Sequence, residues 1–140
     1  MSIILSANYK EVLEQETVDF IEENCIEGEY DLDDALEFID NHNEKDFVRY
    51  YDEYIRVGEN LGYDVVDAFI EHQGDVCYVE NVEEAYHGYY DSKADFAEYH
   101  YRSIYDEVPF YIVVDWQATW DQNLRDDFDF VDGYVFSSNF

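Results

Sequence analysis

The sequence predicts an α+β protein with a mostly helical N-terminal half, a small mixed α/β C-terminal half and an elongated, acidic surface. Apolar residues recur at helical spacing before Gly74, whereas short apolar and aromatic runs follow it. Near the end, the turn dipeptide Asp132-Gly133 separates two apolar runs, which is typical of a β-hairpin. The 140 residues are therefore expected to form a helical domain at 1–74 and a small α/β domain at 75–140.

Four helices are predicted in the first half, at about residues 8–25, 31–40, 44–60 and 65–70. The last of them is expected to end at Gly74, because glycine commonly closes helices. The clearest apolar stripe is that of the second helix, with spacing i, i+3, i+4 and i+7: Leu32, Ala35, Leu36 and Ile39.

The second half mixes strands with helices. A short strand is predicted at 76–79, and residues 86–90 are expected to form an aromatic loop or strand. Ser92 and Asp95 have the spacing of a capping box, which predicts a helix from there to about residue 106. The side chains expected to point inward from that helix are Phe96, Tyr99, His100 and Ile104.

The remaining elements follow Pro109, which interrupts or redirects the chain. A helix is predicted at 115–125, followed by a hairpin over 128–136.

The charge balance is extreme, with 36 acids against 7 Lys and Arg and a formal net charge of -29. Acidic disordered chains are poor in aromatic residues, whereas this chain is 19% aromatic and 47% hydrophobic. A folded body is therefore expected, in which buried rings offset the repulsion between carboxylates. Cys25 and Cys77 are expected to be reduced core residues of a cytoplasmic protein, since neither a signal peptide nor a membrane span is recognisable.

The motif search favours a protein that is not an enzyme and that needs no metal or cofactor. With so many acids, pairs of carboxylates arise by chance, and His42, His72, His87 and His100 lack metal-ligand spacing. Residues 127–133 loosely resemble a calcium loop but lack its ligand spacing. Direct nucleic-acid binding is excluded because seven basic residues cannot neutralise phosphates in this field, and an anionic membrane would repel the chain.

The net charge can be expressed as the length of duplex DNA that carries the same charge. Duplex DNA carries one charge per ~1.7 Å, so 29 charges match roughly 50 Å of duplex, about 15 base pairs. A compact sphere of 140 residues spans only about 37 Å. A DNA-like density therefore favours an elongated body or a dimer laid end to end.

Several segments of the second half resemble the ArdA antirestriction family. Residues 85–92, followed by 95–98, are similar to that family's Tyr-x-Gly-x-Tyr-x-Ser step and its Phe-Ala-Glu helix. The similarity continues in order through 62–69 before that step and through Pro109, 115–119 and 133–136 after it. The resemblance covers the chain from about Tyr51 to the C-terminus.

The resemblance implies an intracellular protein of phages and mobile elements that mimics bent DNA as a homodimer. Its expected partner is a DNA-binding protein, first a type I restriction-modification enzyme whose DNA groove it occupies. Two departures from the family point to a shortened or divergent member. A helical stretch replaces the usual N-terminal domain. After the pair Ala118-Thr119, where the family often has Arg-Asp, this chain has Trp120-Asp121-Gln122. The alternative target is a CRISPR effector or another DNA-binding protein, such as a different defence nuclease.

The predicted function is DNA mimicry by carboxylates that take the place of phosphates. Four alternatives remain open: an acidic chaperone for basic proteins, an enzyme with an unrecognised carboxylate site, adaptation to salt, and a merely solvated charged face. The exposed acids expected to form the binding surface are Asp33, Asp34, Glu37, Asp40, Glu44, Asp46, Asp91, Asp95, Glu98 and Asp121.

Overall fold

The computed structural model describes residues 8–105, 109 and 111–140. Helices fill its N-terminal half, and a small antiparallel sheet lies towards the C-terminus, which confirms the predicted α+β class.

The first predicted helix is interrupted. It consists of α1 (Tyr9–Val12), α2 (Gln15–Ile21) and a π-helical turn at Glu22–Ile26. The prediction of one helix over 8–25 is wrong at Leu13 and Glu14, where the backbone is extended. Leu13 is buried there, and the Glu14 N–H donates to the Glu44 carboxylate at 2.8 Å instead of to a helical carbonyl.

The next three helices confirm their predictions: α3 (Leu32–Asn41), α4 (Glu44–Leu61) and α5 (Tyr63–Gln73). Asp31 and Asn43 cap α3 and α4 by accepting backbone N–H groups three residues ahead, at 2.9 and 2.7 Å. Gly74 closes α5 in a left-handed conformation.

The strand predicted at 76–79 is wrong, because a 3₁₀-helix (Val76–Asn81) occupies this segment and leads into α6 (Val82–Ala85). The Asp75 carboxylate caps it by accepting the Cys77 N–H at 2.9 Å. Three residues per turn place Val76 and Val79 on the same face, and both are buried.

The sheet has the order β1-β3-β2 and is antiparallel throughout, with β1 at Tyr86–Tyr89, β2 at Phe128–Val131 and β3 at Tyr134–Ser137. The predicted hairpin is confirmed. Asp132 and Gly133 both have positive φ, 52° and 91°, as a two-residue type I′ turn requires.

Two further helices follow: α7 (Lys93–Ile104) and α8 (Trp116–Thr119), which continues into a π-helical turn at Trp120–Leu124. Their buried side chains pack against Val135 and Phe128 of the sheet. The Ser92 hydroxyl accepts the Asp95 N–H at 3.1 Å, so the predicted cap is present. Residue 106, the predicted end of the helix, lies outside the described residues.

The predicted inward face of α7 is only partly right. Phe96 is buried and His100 partly buried, but Tyr99 and Ile104 are 61% and 57% exposed. The buried positions include Ala97, so the helix turns a different stripe towards α8 than the heavier apolar residues suggest.

Two apolar clusters meet at β3. The larger comprises residues of α1 to α6 together with Phe136, and the smaller contains Phe96, Trp120 and Val135. Neighbouring residues of a strand face opposite sides of the sheet, so Val135 and Phe136 enter different clusters. The larger cluster has members on both sides of Gly74, and the domain division predicted there stays a prediction, as does the elongated shape.

Both cysteines are free and only partly buried at the edge of the larger cluster, so they are not the core residues that were expected. Burial raises the pKa of the Cys25 thiol to about 11, which keeps it protonated and unreactive near neutral pH.

Phe47 lies at the centre of the larger cluster, fully buried against Phe20, Phe38 and Tyr51. Phe47→Ala is expected to lower the free energy of unfolding by about 3–5 kcal/mol through lost burial and cavity formation. Urea denaturation measures this, with Val113→Ala, at a position 95% exposed, as the control expected to change stability by less than about 0.5 kcal/mol. Equal effects of the two substitutions would contradict the assignment of the core.

Candidate functional site

Two helices expose rows of carboxylates. On α3 these are Asp33, Asp34 and Glu37, and on α5 Asp64, Asp67 and Glu71. Residues three or four apart on one helix face are separated by about 4.5–6 Å along its axis. Each row is therefore a fixed array of negative charge, with a spacing of the same order as that of phosphates along DNA.

A cleft of about 790 Å³ separates the two rows, because α3 and α5 each pack against α4. This feature is called the α3–α5 cleft below. Its carboxylate lining is contributed by both rows, by α4 and by the loop after α5: Asp34, Glu37, Glu59, Asp67, Glu71 and Asp75.

Aromatic rings line the same cleft beneath the carboxylates. Phe38 contacts Tyr51 and Tyr54 with ring centroids 5.1 and 5.0 Å apart, and Tyr54 lies 5.5 Å from Tyr63. Gly58 makes this arrangement possible, since a Cβ atom there would lie 2.2 Å from the Tyr63 ring. The cleft thus combines apolar ring surfaces with a negatively charged rim.

Hydrogen bonds orient two of these carboxylates. The Tyr54 hydroxyl donates to Asp67 at 2.7 Å, and the Tyr63 hydroxyl donates to Glu59 at 3.2 Å. Desolvation by the cleft walls raises the pKa of Asp67, and the bond from Tyr54 opposes that shift. Burial together with the bond to Asp67 raises the pKa of Tyr54, so its hydroxyl remains a donor.

His42 also lines the cleft, in ring contact with Phe38 at 4.5 Å. Burial lowers its pKa, an effect only partly offset by the charges of Asp46, Asp67 and Asp75. The imidazole is therefore neutral at pH 7, and the carboxylates of the cleft retain their negative charge without compensation from this side chain.

Most of the basic side chains have partners within the protein. Lys10 pairs with Glu22 at 3.0 Å, and Arg56 bridges Glu53 and Glu83. Arg49 and Lys93 lie over the rings of Tyr50 and Trp120, at 5.3 and 5.9 Å from the centroids. Among the described residues, none of these ion pairs involves a carboxylate of the α3–α5 cleft.

The predicted binding residues divide into two groups by exposure. Six of them are exposed: Asp33, Asp34, Glu37, Asp91, Asp95 and Asp121. The remaining four are partly buried, against expectation: Asp40, Glu44, Asp46 and Glu98.

Three of the four partly buried acids have local contacts that explain their position. Glu44 accepts the Glu14 N–H, and Asp46 accepts from the Asn43 side chain at 2.9 Å. Glu98 lies 3.6 Å from Arg102. Asp40 Oδ2 is buried without a hydrogen-bond partner among the described residues.

The predicted acids do not form one surface around the cleft. The cleft contains only Asp34 and Glu37 of the predicted set, whereas Asp91, Asp95 and Asp121 belong to the C-terminal half. Sequence analysis missed the row on α5, although its spacing of three and four residues was visible beside the apolar stripe of that helix.

A second distinctive surface lies in the C-terminal half. Tyr105, Ile112 and Val113 are 64%, 49% and 95% exposed, and a cavity of about 320 Å³ nearby is lined by Tyr101 and Trp116. Exposed apolar surface of this kind is typical of contact sites.

Metal-binding clusters and membrane-spanning helices are both absent from the described part of the chain. No three His, Cys, Asp or Glu side chains there converge closely enough to hold a metal ion. The helices of residues 8–105 and 111–140 include none with the length and apolarity to cross a bilayer.

No known protein family, curated protein or solved structure matches this chain. The resemblance to ArdA therefore stays a prediction that rests on the quoted segments.

Unpaired carboxylates repel one another, so salt is expected to stabilise the free protein. Raising NaCl from about 0.05 to 0.5 M should increase the melting temperature by about 3–8 °C if screening contributes about 1–2 kcal/mol. Neutralisation of three acids on α3 should raise the melting point at low salt and reduce the further effect of NaCl. The variant carries Asp33→Asn, Asp34→Asn and Glu37→Gln. A melting temperature independent of salt would contradict the proposed repulsion.

Proposed function

We propose that this protein is a DNA mimic that inhibits a DNA-binding enzyme of host defence by occupying its DNA-binding groove. The supporting observation is the pair of carboxylate rows on α3 and α5, held by helices on opposite sides of a cleft and without ion pairs to the basic residues of the described chain. The preferred target is a type I restriction-modification enzyme, and the alternative is a CRISPR effector.

The energetics of DNA binding favour such an inhibitor. DNA-binding grooves gain much of their affinity from basic side chains that neutralise phosphates and release counterions. A rigid array of carboxylates satisfies the same side chains without offering a base or a scissile bond. Helices hold the carboxylates at fixed spacing, so less conformational entropy is lost on binding than with a disordered acidic tail.

Location and assembly are further parts of this proposal. An inhibitor of restriction or CRISPR complexes acts in the host cytoplasm, and a homodimer would lengthen the charged surface. Sedimentation equilibrium at several protein concentrations tests the dimer, in at least 0.15 M salt so that charge repulsion is screened. A species of constant monomer mass would contradict it.

The main experiment is competition. The purified protein should displace a fluorescent DNA duplex from a type I restriction-modification enzyme at stoichiometric concentration, and the same assay with a CRISPR effector tests the alternative target. The control is an unrelated basic protein whose net charge is similar to that of the enzyme. An acidic chaperone would bind the enzyme and this control protein with little selectivity. Failure to displace DNA from either enzyme would contradict the proposal.

Inhibition is expected to depend on the acids collectively. Single substitutions such as Asp33→Asn should change the inhibition constant by less than about fivefold, because one exposed charge contributes at most about 1 kcal/mol. A block of four on the two rows should weaken inhibition at least tenfold and reduce the slope of log K against log salt by about 3–4, at about 0.9 per phosphate-like contact. The block carries Asp33→Asn, Asp34→Asn, Asp67→Asn and Glu71→Gln.

The matched control removes four exposed acids outside both rows, one on α2 and three between α2 and α3. It carries Glu16→Gln, Glu23→Gln, Glu27→Gln and Glu29→Gln. Equal losses in both block variants would show that net charge matters and that the rows do not. Complete loss of inhibition with one substitution would indicate a local site instead of collective mimicry.

A further inference from the structure

The α3–α5 cleft has properties that a row of surface charges lacks. Its rim carries carboxylates from both sides, and a concave surface lined by charge of one sign focuses the potential more strongly than a flat one. Its volume of about 790 Å³ falls within the range of cavities that enclose organic ligands. These two features favour a cation that enters the cleft.

The aromatic lining indicates which kind of cation fits. Tyr54 and Tyr63 are the partly exposed rings of this lining, and the buried rings of Phe38 and Tyr51 pack against Tyr54. Ring faces attract cations, most often the planar guanidinium group. The guanidinium group also donates two parallel N–H hydrogen bonds, which the two oxygens of a carboxylate accept. The ammonium group of lysine offers neither planar stacking nor that fork.

The placement of the carboxylates agrees with a large cation. Within the described chain, no three acids, histidines or cysteines converge on a point where a metal ion could bind. Asp34 and Glu37 lie on one wall, and Asp67 and Glu71 lie on the other. Among the described residues of the lining there is no Lys or Arg, and burial lowers the pKa of His42, so the protein supplies no competing cation at pH 7.

We infer that the α3–α5 cleft binds an arginine side chain of the protein partner. This assignment rests on the proposed function and adds a specific anchor to it. In DNA complexes, arginine inserts into a narrow minor groove between two rows of phosphates. The cleft is comparable in that carboxylates of two helices, α3 and α5, line it together with aromatic rings.

The first experiment uses the free protein and a small probe, and it requires no partner. N-acetyl-argininamide is titrated into the ¹⁵N-labelled protein, and amide shifts report the site. Residues of α3 and α5 beside the cleft are expected to shift. The neutral isostere N-acetyl-citrullinamide should leave them unchanged, and N-acetyl-lysinamide should bind more weakly. Equal binding of the arginine and lysine probes, or shifts spread over the whole acidic surface, would overturn the assignment.

Two double variants with the same change of net charge distinguish binding in the cleft from attraction by the general negative potential of the protein. The first, Asp34→Asn with Glu37→Gln, removes carboxylates of the cleft, and the second, Glu27→Gln with Glu29→Gln, removes exposed acids outside the cleft and outside both rows. The cleft variant should weaken binding of the arginine probe about tenfold or more, as the loss of a charge-assisted hydrogen bond predicts. The control variant should weaken it by less than about twofold. Equal weakening would overturn the assignment.

Tyr54→Phe supplies an independent variant that keeps the ring and removes the hydroxyl bonded to Asp67. Because the carboxylate then loses its orientation, the affinity for the arginine probe should fall about threefold or more, the loss of one ordinary hydrogen bond. Amide spectra of the unliganded variants verify that each is folded. Unchanged affinity in a folded Tyr54→Phe protein would contradict the role given to Asp67.

The competition assay distinguishes failure of this inference from failure of the proposed function. If the protein displaces DNA from its target and both double variants do so equally well, the arginine anchor is wrong and the mimicry stands. If the probe binds in the cleft but no DNA-binding enzyme is inhibited, the cation site stands and the proposed function is wrong.

Discussion

Aromatic packing on α4 is the interaction on which the rest of this structure depends. Folding brings a formal charge of -29 into a small volume, and the resulting repulsion must be offset by burial. Phe47 and Tyr51 are almost fully buried and contact rings from α2, α3 and the segment before α3. Because each helix turns one apolar stripe to this cluster, its carboxylates are directed to the opposite, solvated face. The same packing therefore determines both the stability of the chain and the direction of its charge.

The central position of α4 also explains the cleft. Two helices that pack on a third without closing on each other leave a groove between them, and here the groove separates the acids of α3 from those of α5. Gly58 permits the close approach of the Tyr63 ring, which adds an aromatic wall. Regular helices hold these groups rigidly, so a partner encounters carboxylates that are already positioned. Such preorganisation reduces the entropic cost of binding and suits an inhibitor that competes with DNA.

The C-terminal half is joined to this body through the central strand of the sheet. Phe136 enters the larger cluster and Val135 the smaller one, so one strand couples the helical half to α7 and α8. His72 of α5 lies 3.3 Å from Asp129 of β2, which adds a polar contact between the two halves. The exposed apolar residues near the start of α8 lie in this half, apart from the carboxylate rows. The two carboxylate rows and these exposed apolar residues thus belong to different halves of the chain.

Local pattern alone predicted α3, α4, α5 and the Asp132-Gly133 hairpin, because helix stripes, caps and tight turns depend on residues a few positions apart. The row of acids on α3 was predictable for the same reason, and the row on α5 carried the same signal. Distant contacts decided the rest. The carboxylate of Glu44 takes the N–H of Glu14, thirty residues earlier, and breaks the first helix. Burial of Val76 and Val79 in the larger cluster favours a 3₁₀-helix over the expected strand. Composition and periodicity thus determined an acidic, helix-rich protein with aromatic cores. Only tertiary packing on α4 decided that two acidic rows flank an aromatic cleft, because that arrangement depends on how the helices pack against one another.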